Sequence, residues 1–390
     1  MARTVLASPS VSFVQRPSGR SFLLDLLKAT GCLLIVLHHM AFYGPMAEVV
    51  ARAWPSGIAW LAEHARLAVQ MFLVCSGFLT AQSLAAMSAL SWGALGQASS
   101  RRYLRLAVPL LAALSLTVLV SELIRPGFVH ASLSAPPSWS QAWAHVFLLQ
   151  HLLDLEALSA GVWYVAVDLQ LFVLALLLLW LAQSLQRRIG GSLWGWQAVL
   201  TSVLVLMSLS HWTHDEALDD TALYFWGAYG MGWLAWQVRQ LRYPAVAWGL
   251  LLVSGLICFA LDARFRAMTA WASAAMLMVA PSAWLQGAAP QVAGLASIWR
   301  SAVSWLSRIS YAVFVLHFGV CLLVNFAVHR WWPHGVAMNA AGMLAALLLS
   351  LLAGQVLHRC TEQGAASWKR WIAWAGAFMA STGLAIALAA

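Results

Sequence analysis

Apolar runs recur along the chain from Phe22 to the C-terminus, and no polar stretch between them is long enough for a soluble domain. About 20 apolar residues cross a bilayer as a helix, so the chain has room for ten or eleven crossings. They are placed near residues 22–43, 67–88, 104–124, 160–185, 194–211, 222–238, 244–262, 268–287, 309–328, 336–357 and 371–389. The expected fold class is all-α, a polytopic transmembrane helical bundle. Residues 1–21 are read as an N-terminal tail, 22–365 as the main transmembrane domain and 366–390 as a C-terminal hydrophobic helix.

Composition names the solvent. Hydrophobic residues make up 62% of the chain and charged residues 9%, with a mean hydropathy of +0.78. Many of the 23 tryptophans fall near the ends of apolar runs, where an indole ring favours the membrane interface. The net charge of +9 would point to nucleic acid in a soluble protein. Here most cations sit in short loops and serve as orientation signals, so no nucleic-acid partner is expected.

Strict alternation of the spans collects Arg101, Arg102 and Arg105, Arg187 and Arg188, Arg239 and Arg242, Arg300 and Arg308, and Arg359, Lys369 and Arg370 on the side of the N-terminus. Arg52, Arg66, Arg125, Arg264, Arg266 and Arg330 are left for the other side. The bias predicts a cytoplasmic N-terminus. The tail carries Arg3, Arg16 and Arg20 without an apolar core, unlike a cleavable signal peptide. Cys32, Cys75, Cys258, Cys321 and Cys360 are scattered without metal-ligand spacing, so neither a disulfide framework nor a metal site is expected.

Ionisable residues inside the spans are the candidate chemistry, because a charge in the membrane is costly unless it is paired or hydrated. Lys28 and His39 share a face of the first span about 16 Å apart, with Asp25 near the same stripe. Lys28 near the start of its span could instead snorkel to the headgroups, and a histidine can simply tie helices together. His38 points about 80° from the stripe and suits packing.

Other polar positions follow in order. Ser76 and Gly77 read as a close-packing pair, the hydroxyl bonded to backbone. Arg102 and Arg105 share a helix face, where two guanidiniums could clamp phosphates or merely anchor the span. Asp168 follows Trp163 and Tyr164 and needs a partner. Ser310 and Tyr311 lead to His317 in the ninth span, and Glu362 closes the tenth among bases as a surface ion pair. His211 and His214 read as a hydrated outer loop rather than a zinc site. The 125–159 connection has room for a short helix around 145–151.

Taken in order, these elements resemble the membrane-bound acyltransferase-3 family, polytopic enzymes that acylate cell-surface glycans. The resemblance spans about residues 20–365 and rests on Lys28-x10-His39, Phe72-x3-Ser76-Gly77-Phe78, Arg102-x2-Arg105 before Pro109, Trp163-Tyr164 before Asp168, and Ile309-Ser310-Tyr311 before His317. Asp168 stands where the family usually has Glu, and Leu73 where a second Phe is usual.

The resemblance implies an integral protein of the bacterial inner membrane that moves an acyl group, in the first place acetyl, from acyl-coenzyme A to a glycan hydroxyl. In that reading His39 is the general base, with a covalent acyl-histidine route as the alternative. Lys28, Arg102 and Arg105 hold the donor's phosphates. Asp25 orients Lys28, Asp168 and His317 are candidates to orient His39, and Ser76, Tyr164 and Tyr311 support or line the passage. A transporter or flippase also places charge at mid-membrane, but many are built from internal repeats, and none is evident here.

Overall fold

The computed structural model describes residues 21–87, 90–241, 244–285 and 294–389. The expected tail, apart from Ser21, and Arg242 lie outside the described residues. Every regular element among the described residues is a helix: α1 (Phe22–Phe42), α2 (Pro45–Ala51), α3 (Pro55–His64), α4 (Ala68–Leu84), α5 (Trp92–Ile124), α6 (Trp139–Phe147), α7 (Val162–Ile189), α8 (Leu193–Ser210), α9 (Ala222–Val238), α10 (Pro244–Leu261), α11 (Phe265–Val279), α12 (Ser282–Leu285), α13 (Leu295–Trp331), α14 (Val336–Thr361) and α15 (Trp368–Ala389). The protein is an all-α membrane bundle.

Among the described residues, eight helical segments are long and apolar enough to cross a membrane. The three remaining expected spans coincide with α9, α10 and α11. Of these, α9 has 17 residues and α11 has 15. At 1.5 Å per residue α9 rises about 26 Å, just under the thickness of a hydrocarbon core.

Several helices outrun the apolar windows that announced them. α5 begins at Trp92, capped by the Ser91 hydroxyl, rather than near residue 104. α13 begins at Leu295 rather than near 309 and runs for 37 residues, about 55 Å. Arg101, Arg102, Arg105, Arg300 and Arg308 therefore sit on helices and not in loops. Hydropathy marks where a helix meets lipid, whereas Ala, Leu, Gln and Arg continue a helix into water.

Lipid tails are as apolar as leucine, so close packing and interhelical hydrogen bonds join these helices. α1 lies against α13 and α4, α13 against α5 and α14, α4 against α9, and α15 against α5. α1, α5 and α13 are largely enclosed, whereas α8, α14 and α15 turn most of their surface outward. At the α4–α9 crossing a side-chain carbon on Gly77 would strike the Tyr229 carbonyl, and one on Gly232 the Val74 carbonyl. The two backbones thus approach as closely as glycine permits.

The expected helix near 145–151 is found earlier, as α6. A capping box between Ser138 and Gln141 starts it, and Leu148 in the left-handed region ends it. Buried His145 ties α6 to the loop that follows. Its Nδ1 donates to the Gln141 carbonyl at 2.7 Å and its Nε2 accepts from the Leu158 amide at 3.1 Å. Burial drives its pKa down to about 4. The loop then enters α7 through Gly161.

Candidate active site

A cavity of about 1110 Å³ opens among α1, α4, α5, α7, α13 and the end of α14. Lys28, Ser76, Arg102, Arg105, Tyr164, Asp168 and Tyr311 line it, so seven of the ten residues singled out in the sequence share one chamber. Asp25, His39 and His317 are not among its lining residues. Asp25 accepts hydrogen bonds from Ser304 at 3.0 Å and Ser307 at 2.7 Å, which bind the start of α1 to α13.

Asp168 is buried and receives Arg102 through Nε at 3.0 Å and an Nη at 2.5 Å. Ser76 completes the cluster: its hydroxyl donates to Asp168 at 2.8 Å and accepts from Arg102 at 3.2 Å. One expectation changes here. Ser76 bonds a carboxylate and not backbone, while the close packing is the work of Gly77 next to it. Asp168, a candidate to orient His39, has its hydrogen bonds with Arg102 and Ser76. A buried carboxylate satisfies its charge with the nearest matching fork, and that fork is supplied by α5.

The remaining cations give the chamber its sign. Arg105 and Arg308 are exposed within it, and Lys28 is half-buried in its wall. The acid Glu362 lines the same space, with His358 Nδ1 3.3 Å from its carboxylate. The expected surface pair is therefore a cavity pair. Burial pushes the Glu362 carboxyl upward, against the pull of His358, Arg105 and Lys28. Tyr311 donates to the Leu106 carbonyl at 2.7 Å, one turn before Pro109.

Beyond the chamber lies a histidine pair. Both rings are buried, and His39 Nδ1 meets His317 Nε2 at 2.6 Å. His317 Nδ1 faces the Phe314 carbonyl at 2.8 Å and the Val313 carbonyl at 3.1 Å. Carbonyl oxygens only accept, so His317 Nδ1 carries the proton. In the neutral pair its Nε2 then accepts, His39 Nδ1 donates, and the lone pair of His39 is held on Nε2. His38 points elsewhere, its Nδ1 3.3 Å from the Leu61 carbonyl.

Three rings cluster on the chamber wall, and one of them meets the pair. Phe72, Tyr164 and Phe314 all line the cavity, with centroids 5.3–6.3 Å apart. Phe314 also lies 6.3 Å from the His317 ring. Gly161, at φ +81°, presses on this junction, since an added carbon would lie 3.1 Å from Phe314 Cζ and 3.5 Å from His39 Cε1.

Ser304, Ser307 and Phe314 were given no role in the sequence reading, and Arg308 entered it only as an orientation charge. They extend the face of α13 that carries Tyr311, at spacings of three and four residues. That period, followed upstream of residue 309, is the signal that would have found them. The outer-loop histidines are used locally: His211 bonds Ser210 at 2.6 Å and His214 bonds the Leu209 carbonyl at 3.0 Å. No group of three or more metal-ligating side chains occurs among the described residues.

The family model of an acyltransferase domain matches residues 23–390, nearly the whole chain. No curated protein and no solved structure matches it. With membrane-crossing helices and a chamber assembled from the positions that carry the resemblance, the chain belongs to the acyltransferase-3 family.

Proposed function

We propose that the protein transfers an acyl group, in the first place acetyl, from acyl-coenzyme A to a hydroxyl of a surface or exported glycan. The observation that carries this reading is a cationic chamber of about 1110 Å³ that ends at a wall of aromatic rings with the His39–His317 pair behind it. Lys28, Arg105 and Arg308 supply positive charge for the donor's phosphates. Arg102 contributes through Asp168, holding α5 and α7 together at the chamber wall. Family membership favours transfer over transport.

In the reaction, His39 Nε2 takes the proton of the acceptor hydroxyl as its oxygen attacks the thioester carbonyl. The carbon–sulfur bond breaks, an ester forms, and the proton passes to the departing thiolate as free coenzyme A. His317 keeps the lone pair on Nε2 and acts as a positioning residue. The direct route is preferred to an acyl-histidine because a buried neutral imidazole serves as a base without needing a second acceptor step.

The test is whether purified protein in proteoliposomes releases coenzyme A thiol from acetyl-coenzyme A, together with mass spectrometry of surface polysaccharide from cells with and without the protein. Thiol release and one acyl increment per modified sugar that vanishes with the protein are the expected results. A polysaccharide of identical mass in both strains would contradict the glycan acceptor.

A further inference from the structure

Among the three rings on the chamber wall, Phe314 is the one that also meets the histidine pair. Phe314 is buried on α13, one turn before His317, and its carbonyl accepts a hydrogen bond from His317 Nδ1. Its ring touches both compartments: it lines the chamber, and it packs against the same glycine that meets His39 Cε1. Phe72 packs against α1, where a carbon added to Gly31 would come within 3.2 Å of its ring. Gly31 lies two turns before His39.

Backbone and rings are already closely packed at this junction. A carbon built on Gly161 would stand at 3.1 Å from Phe314, closer than side-chain carbons ordinarily approach. A route from the chamber to His39 past Phe314 brings the acyl group against this ring, and each further methylene must find space among rings already in contact. Discrimination against one methylene in a packed apolar site is about tenfold or more.

We propose that Phe314, backed by Phe72 and Tyr164, is the residue that restricts the transferred acyl group to a short chain. This rests on the proposed acyl-coenzyme A reading of the same chamber. Phe314 acts as a movable wall. The nucleotide end of the donor stays with the cations, and the ring decides how much chain passes toward Gly161 and His39.

The full-length protein in nanodiscs is tested with acetyl- and hexanoyl-coenzyme A, with water as the acceptor and thiol release as the readout. The wild type is expected to turn over hexanoyl-coenzyme A at least about tenfold more slowly than acetyl-coenzyme A, and Phe314→Ala to bring the two rates within about threefold. Phe314→Leu, a milder truncation, is expected to fall between them and decides the matter if Phe314→Ala no longer binds free coenzyme A. Equal rates in the wild type, or an unchanged ratio in the variants, would overturn the proposal and leave the donor reading intact. No thiol release from either donor by the wild type would overturn both.

Discussion

At the scale of single residues, the two arginines that share a helix face have different work, and substitution separates them. Arg105→Lys keeps the charge but loses the planar fork, so the KM for donor is expected to rise several-fold in a thiol-release assay. Asp168→Asn leaves the half-buried Arg102 without its counter-charge and is expected to cost about 1–2 kcal/mol of stability. Pairing it with Arg102→Gln should recover part of that loss in a melting experiment; an additive loss would contradict the pairing. His317→Leu removes the acceptor for His39 Nδ1 and is expected to lower kcat about a hundredfold while leaving the donor KM unchanged. His317→Gln, whose side chain can still accept, should restore part of the rate. Lys28, Arg105 and Tyr311 were legible as cavity candidates because charge or hydroxyl at membrane depth marks itself. The partner of Asp168 was not legible, since Arg102 lies 66 residues away and only the docking of α5 on α7 decides which cation arrives first.

Helices show the same division between local signal and tertiary outcome. Apolar windows located the cores of α1, α5, α7, α13 and α14, but α5 and α13 continue well past the lipid, where hydropathy falls silent and helix propensity persists. α6 was displaced from its expected position because its start depends on the Ser138–Gln141 capping box and its end on a left-handed Leu148. The His145 bridge that holds this element predicts acid sensitivity. Its ring titrates near pH 4 when folded against an ordinary 6.5. Between those values the unfolded chain binds the extra proton, so stability falls as pH drops through that window, by up to about 3 kcal/mol. Protonation also takes away the acceptor for the Leu158 amide. Melting temperature measured at pH 7 and pH 5 should drop less in His145→Gln than in the wild type; parallel drops would contradict this role.

For the whole molecule, repeated apolar runs sufficed to announce an all-α membrane bundle, because composition alone excludes water as the solvent for most of its surface. They did not announce a chamber with three rings on its wall and a histidine pair beside one of them. That arrangement depends on how α1, α4, α7 and α13 meet at Gly31 and Gly161, which no local pattern encodes. The cation bias predicts that a reporter fused after Gly190 reads as cytoplasmic and one fused after Asp220 as external; the reverse pair would invert the donor side. The central claim is that His39 is the base reached from this chamber. Its most direct test is acetyl transfer by His39→Asn in proteoliposomes, at matched protein level and with free coenzyme A binding confirmed. The account predicts a rate at least about a hundredfold below wild type, with His38→Asn within a few-fold of it. Full activity in a stably inserted His39→Asn protein would contradict the account.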